Sequence, residues 1–471
     1  MSDDAQARPI RRDEIVALVQ RYDRPGPRYT SYPTAVEFHE GVDAAEYARR
    51  LARADEEVDE PLSLYVHLPF CEKRCLFCAC HVIITPHMEK AAPYLGLLEQ
   101  EVRLVTAHLP RRRKVSQLHL GGGTPTYYTP EQLDGLLGFM LGEFELTEDA
   151  EVAVEVDPRV TTPAHLDVMA SHGFNRVSMG VQDFTPKVQE AVDRVQSYEQ
   201  TKALIDHARS KGYGRINVDL IYGLPFQSLE TFEQTIDTVI DLGIDRTAVY
   251  SFAFLPDSGR GHQTRIEEED LPPPEVKLGL YALAREKFLA AGYEAIGMDH
   301  FALPSDELAK ARREGRLRRN FQGYTIIPAK DVIGLGISAI GDLAGAYVQN
   351  LKKLNRYQKA VEAGELPVLR GVARTADDEV RRAVIHELMC NFRVEVAAVE
   401  AQHGIAFGEF FAEELKRLEE HQAEGMVEVT PERIEVTPRG ELFVRNLGMC
   451  FDRYWHERHK DSDKTPFSRT V

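Results

Sequence analysis

Apolar runs of strand length recur along the chain at 62–70, 115–120, 151–156, 176–181, 215–222 and 246–254, most of them ending in a Gly, Pro or Asp turn signal. Apolar residues repeat at helical spacing over 92–108, 130–144, 162–172, 197–211, 229–242 and 274–291. Six such strand–helix units predict an α/β fold: a parallel sheet with right-handed crossovers, either doubly wound or curved toward a barrel. Polar residues and glycines gather where the strands end, at Gly121 to Thr124, Asp157, Gln182, Asp183 and Gly223. In both architectures that edge is where ligands bind.

Past about residue 300 the alternation stops. From about 365 onward the pattern is helical, apart from two short strands at 426–430 and 433–437 around a Pro-Glu turn, an order of elements that resembles a winged-helix module. The first sixty residues read as polar and helical, broken by an ordered loop from Arg28 to Thr34.

Composition narrows the class. The chain has 471 residues, 43% hydrophobic and 28% charged, which excludes disorder and fibrous repeats and suggests two or three domains. A net charge of −18 argues against a protein that coats nucleic acid or an anionic membrane. No run approaches the roughly 20 apolar residues of a membrane span, and the N-terminus lacks the apolar segment of a signal peptide, so a cytoplasmic protein is expected. Four of the six cysteines, Cys71, Cys75, Cys78 and Cys80, fall within ten residues, a spacing that points to metal or redox chemistry and away from a disulfide framework.

That cluster sits in the loop after the first strand. Three thiolates at spacings of four and three suit a short loop wrapped around a cuboidal iron–sulfur cluster. With three protein ligands in place of four, one iron keeps an open position. Lys73 and Arg74 would favour the thiolates electrostatically. A redox pair at Cys75 and Cys78 would leave Cys71 and Cys80 unused, and a closed zinc site would usually need a second paired set of ligands. Spacing leaves Cys80 open as a fourth ligand, a catalytic thiol or a small packed residue. Cys390 and Cys450, in apolar helical surroundings, read as core.

The Cys-x3-Cys-x2-Cys pattern after the first strand resembles the radical S-adenosylmethionine (SAM) enzymes. The stretches Tyr29-Thr30-Ser31-Tyr32-Pro33-Thr34, Leu64-Tyr65-Val66-His67, Cys78-Ala79-Cys80, Gly121-Gly122-Gly123-Thr124-Pro125, Gly180-Val181-Gln182-Asp183-Phe184, Asn320-Phe321-Gln322-Gly323-Tyr324 and Met449-Cys450-Phe451-Asp452 are similar to those of the oxygen-independent coproporphyrinogen III oxidases. The resemblance runs from about residue 20 to the C-terminus. It implies a partial (βα)6 TIM-like barrel over 61–300, with an N-terminal extension at 1–60, a segment at 301–364 completing one side of the barrel, and a mainly helical domain at 365–471.

The resemblance also implies chemistry. Cys71, Cys75 and Cys78 would hold a 4Fe-4S cluster whose open iron binds SAM, and a 5′-deoxyadenosyl radical would start the conversion of two propionates of coproporphyrinogen III to vinyl groups. Tyr65 and Phe77 would flank the cluster. Gly122, Gly123 and Thr124 would approach the methionyl amino group, and Glu155 the ribose. Gln182, Arg194 and Asp219 match positions around a second SAM, and Ala253 and Ile340 match adenine or backbone contacts. The expected partners are the porphyrinogen and a one-electron donor such as flavodoxin or ferredoxin, with no nucleic acid, no membrane and a monomeric chain.

The substrate's four propionates call for a cationic pocket, for which Arg24, Arg28, Arg318 and Arg319 are candidates on charge. The segment Tyr29 to Thr34 is a candidate lid over the barrel rim. An alternative of the same architecture is a haem chaperone, but in that group the residue two after the third cluster cysteine is typically Phe and the Tyr-Thr-Ser-Tyr-Pro segment is absent. A nucleic-acid-binding use of the C-terminal module conflicts with the acidic stretch Glu409 to Glu420.

Overall fold

The six predicted strands form in chain order as β1 (Leu62–Leu68), β2 (Lys114–Gly122), β3 (Glu145–Val156), β4 (Arg176–Gln182), β5 (Arg215–Tyr222) and β6 (Arg246–Ser251). They lie side by side in that order and all parallel. This order decides between the two architectures the pattern allows. A doubly wound sheet reverses direction once, whereas sequential right-handed crossovers place every helix on one face, as in a barrel. The structure, a computed structural model, describes residues 12–256, 261–326, 329–458, 467, 469 and 470.

Two period-2 faces build this layer. Val152, Val154, Val177, Met179, Val218 and Leu220 join one apolar core with the covering helices. The alternate positions His119, Glu155, Ser178, Asn217 and Asp219 line a small interior cavity of about 110 Å³. The helices are those the periodicity predicts: among them Ala92–Ala107 buries Leu95, Leu98, Val102 and Val105 along one stripe, and Pro130–Glu143 begins on a Thr129 capping box.

Beyond residue 290 the sheet continues on both sides. β7 (Glu294–Ile296) and β8 (His300–Ala302) add antiparallel strands outside β6. The hairpin β9 (Arg318–Asn320) and β10 (Gly323–Thr325) stands apart from it. On the other side β11 (Val332–Leu335) pairs parallel with β1, followed by antiparallel β12 (Ile340–Leu343), β13 (Ala346–Asn350) and β14 (Val368–Ala373). The resulting twelve-stranded sheet ends at β14 and β7, which do not pair, so the barrel is open.

Three expectations need correction. The stretch after 365 is not helical at its start: Val368–Ala373 is a strand of the twelve-stranded sheet, hidden from periodicity because it is short and half-buried. The C-terminal hairpin, Val427–Val429 with Arg433–Val436, gains a third strand, Arg393–Glu395. The Tyr29-to-Thr34 segment does not stand free over the rim. Tyr29 and Tyr32 are buried in the C-terminal core against Val384, Leu388, Leu447 and Phe451, so aromatic burial fixes the segment in place.

Candidate active site

β1 delivers the cysteine loop to the C-terminal edge of the sheet. The loop is closed at its base, where Phe70 and Cys71 pair with Ile83 and Ile84 and the Ile83 amide donates to the Pro69 carbonyl at 2.8 Å. Inside it the Cys78 amide donates to the Cys75 carbonyl at 3.1 Å, a turn that brings these two residues to one side. Leu76 anchors the loop by packing with Val188, Val192 and Phe252, with Phe77 against the same apolar group. The six cysteines are all unbridged; Cys75 is buried, Cys71 and Cys78 are half-buried and Cys80 is exposed.

Of the two cations expected at the sulfurs, Arg74 favours the Cys78 thiolate by its charge while donating to the Val82 carbonyl at 3.3 Å, whereas Lys73 pairs with Asp193 at 2.7 Å. In addition Arg159 Nη2 and Arg194 Nη1 donate to Cys75 Sγ at 3.3 and 3.5 Å, and both guanidiniums are held by Asp157, at 2.7 and 3.0 Å. Burial would raise the Asp157 carboxyl, but Arg194 and Arg159 hold it below the usual range. Cys71 Sγ faces Thr124 Oγ1 at 3.4 Å, and burial pushes its thiol up to about 12. Cys78 is shifted the other way, first by a hydrogen bond from the Cys80 thiol. Among the described residues no three Cys, His, Asp or Glu side chains converge on a point fit for a single ion. Three thiols on one short loop with cationic backing are a donor set that suits an iron–sulfur group.

The end of β2 forms the adjoining wall. A Cβ on Gly123 would lie 2.5 Å from the Pro69 carbonyl carbon, so only a bare backbone passes there. Gly122 has φ +111°, and its amide donates to Glu155 Oε2 at 3.3 Å. Glu155 also meets His119 Nε2 at 3.1 Å; burial raises its carboxyl, but the His119 contact and the Gly122 N–H bring it below the ordinary value. Next to it, Tyr65 donates to His67 Nδ1 at 3.0 Å while His67 Nε2 donates to the His81 carbonyl at 2.9 Å. A carbonyl only accepts, so the His67 proton is on Nε2, and burial keeps the ring neutral by lowering it to about 4. Tyr65, Cys78, Gly122, Glu155, Tyr250 and Ile340 line one cavity of about 910 Å³.

The remaining sequence-derived positions lie at different depths. Asp219 sits below Glu155, bonded to Asn217 and Ser178 at 2.8 and 3.0 Å, and burial raises it to about 6. Gln182 takes a positive φ of 72° and its Oε1 is buried without a partner. Arg194 donates to Asp157, Cys75 and the Gly180 carbonyl and so backs the cysteine loop, while its buried Nε is left without a partner. The Ala253 carbonyl accepts from Gln263 Nε2 at 3.1 Å. Sequence reasoning missed Arg159 and assigned nothing to His67 or His119. The two histidines were detectable as polar residues near strand ends, whereas nothing local marks Arg159.

Residues 65–239 match the radical SAM superfamily, and residues 375–443 match the HemN C-terminal domain. The oxygen-independent coproporphyrinogen III oxidase of Pseudomonas aeruginosa is 45% identical over 439 residues, 93% of this chain and 95% of that protein. The one from Salmonella typhimurium is 46% identical over 459 residues, 98% of this chain and 99% of its own length. The solved structure of coproporphyrinogen III oxidase (HemN) from Escherichia coli, described as a radical SAM enzyme, aligns with a TM-score of 0.88 at 45% identity, covering 93% of this chain and 98% of that one. Thiol loop, bare-backbone wall and full-length likeness agree: this chain belongs to the oxygen-independent coproporphyrinogen III oxidase family of radical SAM enzymes.

Proposed function

We propose that this chain oxidatively decarboxylates two propionates of coproporphyrinogen III without oxygen, giving protoporphyrinogen IX. The observation that carries the reading is the joining of Cys78, Gly122 and Glu155 in one cavity beside the other two loop thiols. A 4Fe-4S cluster with bound SAM supplies, when present, the 5′-deoxyadenosyl radical that takes hydrogen from a propionate β-carbon; carbon dioxide and one further electron then leave to give the vinyl group.

In this reading Cys71, Cys75 and Cys78 hold the cluster and Arg159 and Arg194 stabilise the Cys75 sulfur. Gly122, Gly123 and Thr124 receive the methionyl end of SAM, Glu155 its ribose hydroxyls, and Ile340 and Ala253 its adenine side. Tyr65 shields the reacting centre from the strand side. Gln182, whose buried Oε1 lacks a partner, and Asp219 face a second SAM. The electron comes from a carrier such as flavodoxin or ferredoxin, and the chain acts as a cytoplasmic monomer, in keeping with six unbridged cysteines. Among the described residues no helix is long and apolar enough to cross a membrane. The haem-chaperone alternative is not favoured, because the near full-length relatives are oxidases.

The test is an anaerobic assay of reduced, reconstituted protein with SAM and coproporphyrinogen III, following protoporphyrinogen IX and 5′-deoxyadenosine together. Both are expected. Stable haem binding with no vinyl product would overturn the reading.

A further inference from the structure

A third cavity, of about 630 Å³, opens where the hairpin β9–β10 meets β12 and the helix Ala376–Asn391. Phe321, Gln322 and Ile340 line both this cavity and the one at the cysteine loop, so the two adjoin. In a chain of net charge −18 it is rich in arginine. Arg318 is paired with Glu387 at 3.1 Å, while Arg374 and Arg382 share Asp342 at 2.5 and 2.9 Å.

Arg319 differs from these three. Only 7% exposed, it lines the cavity, its guanidinium lies 4.9 Å above the Tyr324 ring, and its Nη1 donates to the Tyr324 hydroxyl at 3.3 Å. Its Nε is buried without a partner, and among the described residues no carboxylate is in ion-pair reach. Asp299, the carboxylate whose charge it feels, is held by Arg28 at 2.7 Å and by His300 at 2.7 Å. His386, on the facing helix, also presents a buried Nε2 with no partner to this cavity. A buried guanidinium is costly unless an anion completes it, and one stacked on a tyrosine is pre-organised for a planar carboxylate.

We infer that Arg319 is a specificity residue that anchors a substrate propionate the reaction leaves intact, with His386 as a second donor from the opposite wall. The inference rests on the proposed function. The oxidised propionates must reach the cavity at Cys78 and Glu155, and the macrocycle then carries its two unreacted carboxylates away from that centre, into the adjoining space. Arg319 grips a group that substrate and product share.

The test uses reconstituted holoenzyme with SAM. It measures the KM for coproporphyrinogen III, the Kd for the air-stable porphyrins coproporphyrin III and protoporphyrin IX by fluorescence, the affinity for SAM, and iron content. Arg319→Gln is expected to raise the KM about 10- to 100-fold, the range for one charged hydrogen-bonded contact. It should weaken both porphyrins by the same factor while SAM affinity and iron content hold. Arg319→Lys should recover part of the loss. Ala383→Glu, which sets a fixed carboxylate in the same cavity while leaving Arg319 in place, should weaken both porphyrins too, and it stands as the test if Arg319→Gln does not fold. Unchanged porphyrin affinity in Arg319→Gln with normal wild-type turnover overturns this inference alone. Weakening of coproporphyrin III only would assign Arg319 to a reacting propionate and overturn it as well. Failure of the wild type to bind or convert either tetrapyrrole overturns the proposed function with it.

Discussion

The Tyr29 hydroxyl donates to Asp452 Oδ2 at 3.0 Å, with both side chains buried. The bond ties the N-terminal segment to the chain just before the Arg453–Arg458 helix. Burial raises the Asp452 carboxyl to about 6, so the stability it contributes when protonated is lost as pH rises through that value. Above it the Tyr29 hydroxyl serves a buried charge. Tyr29→Phe should therefore cost about 1.5–3 kcal/mol at pH 8 and clearly less at pH 5. Urea denaturation followed by the single tryptophan, Trp455, whose amide donates to Asp452 Oδ1 at 3.0 Å, measures both. An equal cost at both pH values would contradict the coupling.

Replacing Cys71, Cys75 or Cys78 with Ala should strip iron and sulfide from the reconstituted protein and abolish 5′-deoxyadenosine formation. Cys80→Ser should retain iron, since Cys80 is exposed and lies outside the three-thiol pattern. Iron and sulfide analysis beside SAM cleavage separates the cases. Loss of iron in Cys80→Ser would make it a fourth ligand.

The guanidinium contacts to Cys75 Sγ favour a more negative cluster. Arg159→Gln removes one of them and should lower the midpoint potential, because hydrogen bonds and positive charge near the sulfurs favour reduction. Potentiometric titration reads this directly, and a potential that rises or stays fixed would exclude the role.

At Gly123 the added methyl of Ala would meet three backbone atoms within 2.8 Å, none of which can swing away. The substitution should destabilise the fold by about 1–3 kcal/mol and weaken iron retention by displacing the Pro69 turn ahead of Cys71. Thermal unfolding and iron content would show it.

Glu155→Gln keeps the size of the side chain but removes its charge. An expected 10- to 100-fold (about 1.5–3 kcal/mol) loss in SAM affinity with unchanged iron content would fit a ribose acceptor. Equilibrium dialysis with SAM decides it, and unchanged affinity would exclude that role.

The six parallel strands and their helices were legible because each carries its own periodicity, and the observed bounds differ from the predicted ones only at a few ends, chiefly the early start of Glu145–Val156. Strands of three to six residues after 290 were not legible, since their burial comes from neighbours distant in sequence, as with Val368–Ala373 against Ala346–Asn350. At the site, the thiol spacing was readable within one loop. The support for Cys75 was not: Asp157 and Arg159 come from the turn after β3 and Arg194 from the loop behind the Pro186–Ala191 helix, and they meet only when the sheet is built. The same holds for the supposed lid, whose tyrosines find their partners some four hundred residues later.

β1, which leads into the loop with the three thiols, is flanked by β2 on one side and by β11 on the other, with Ser63 opposite Val332 and Val66 opposite Leu335. During synthesis the cysteines leave the ribosome long before that second neighbour exists. A fragment ending near residue 300 would present β1 as a bare edge beneath reactive sulfurs, a surface prone to aggregate. The edge of β1 is therefore covered only once the polypeptide has reached β11.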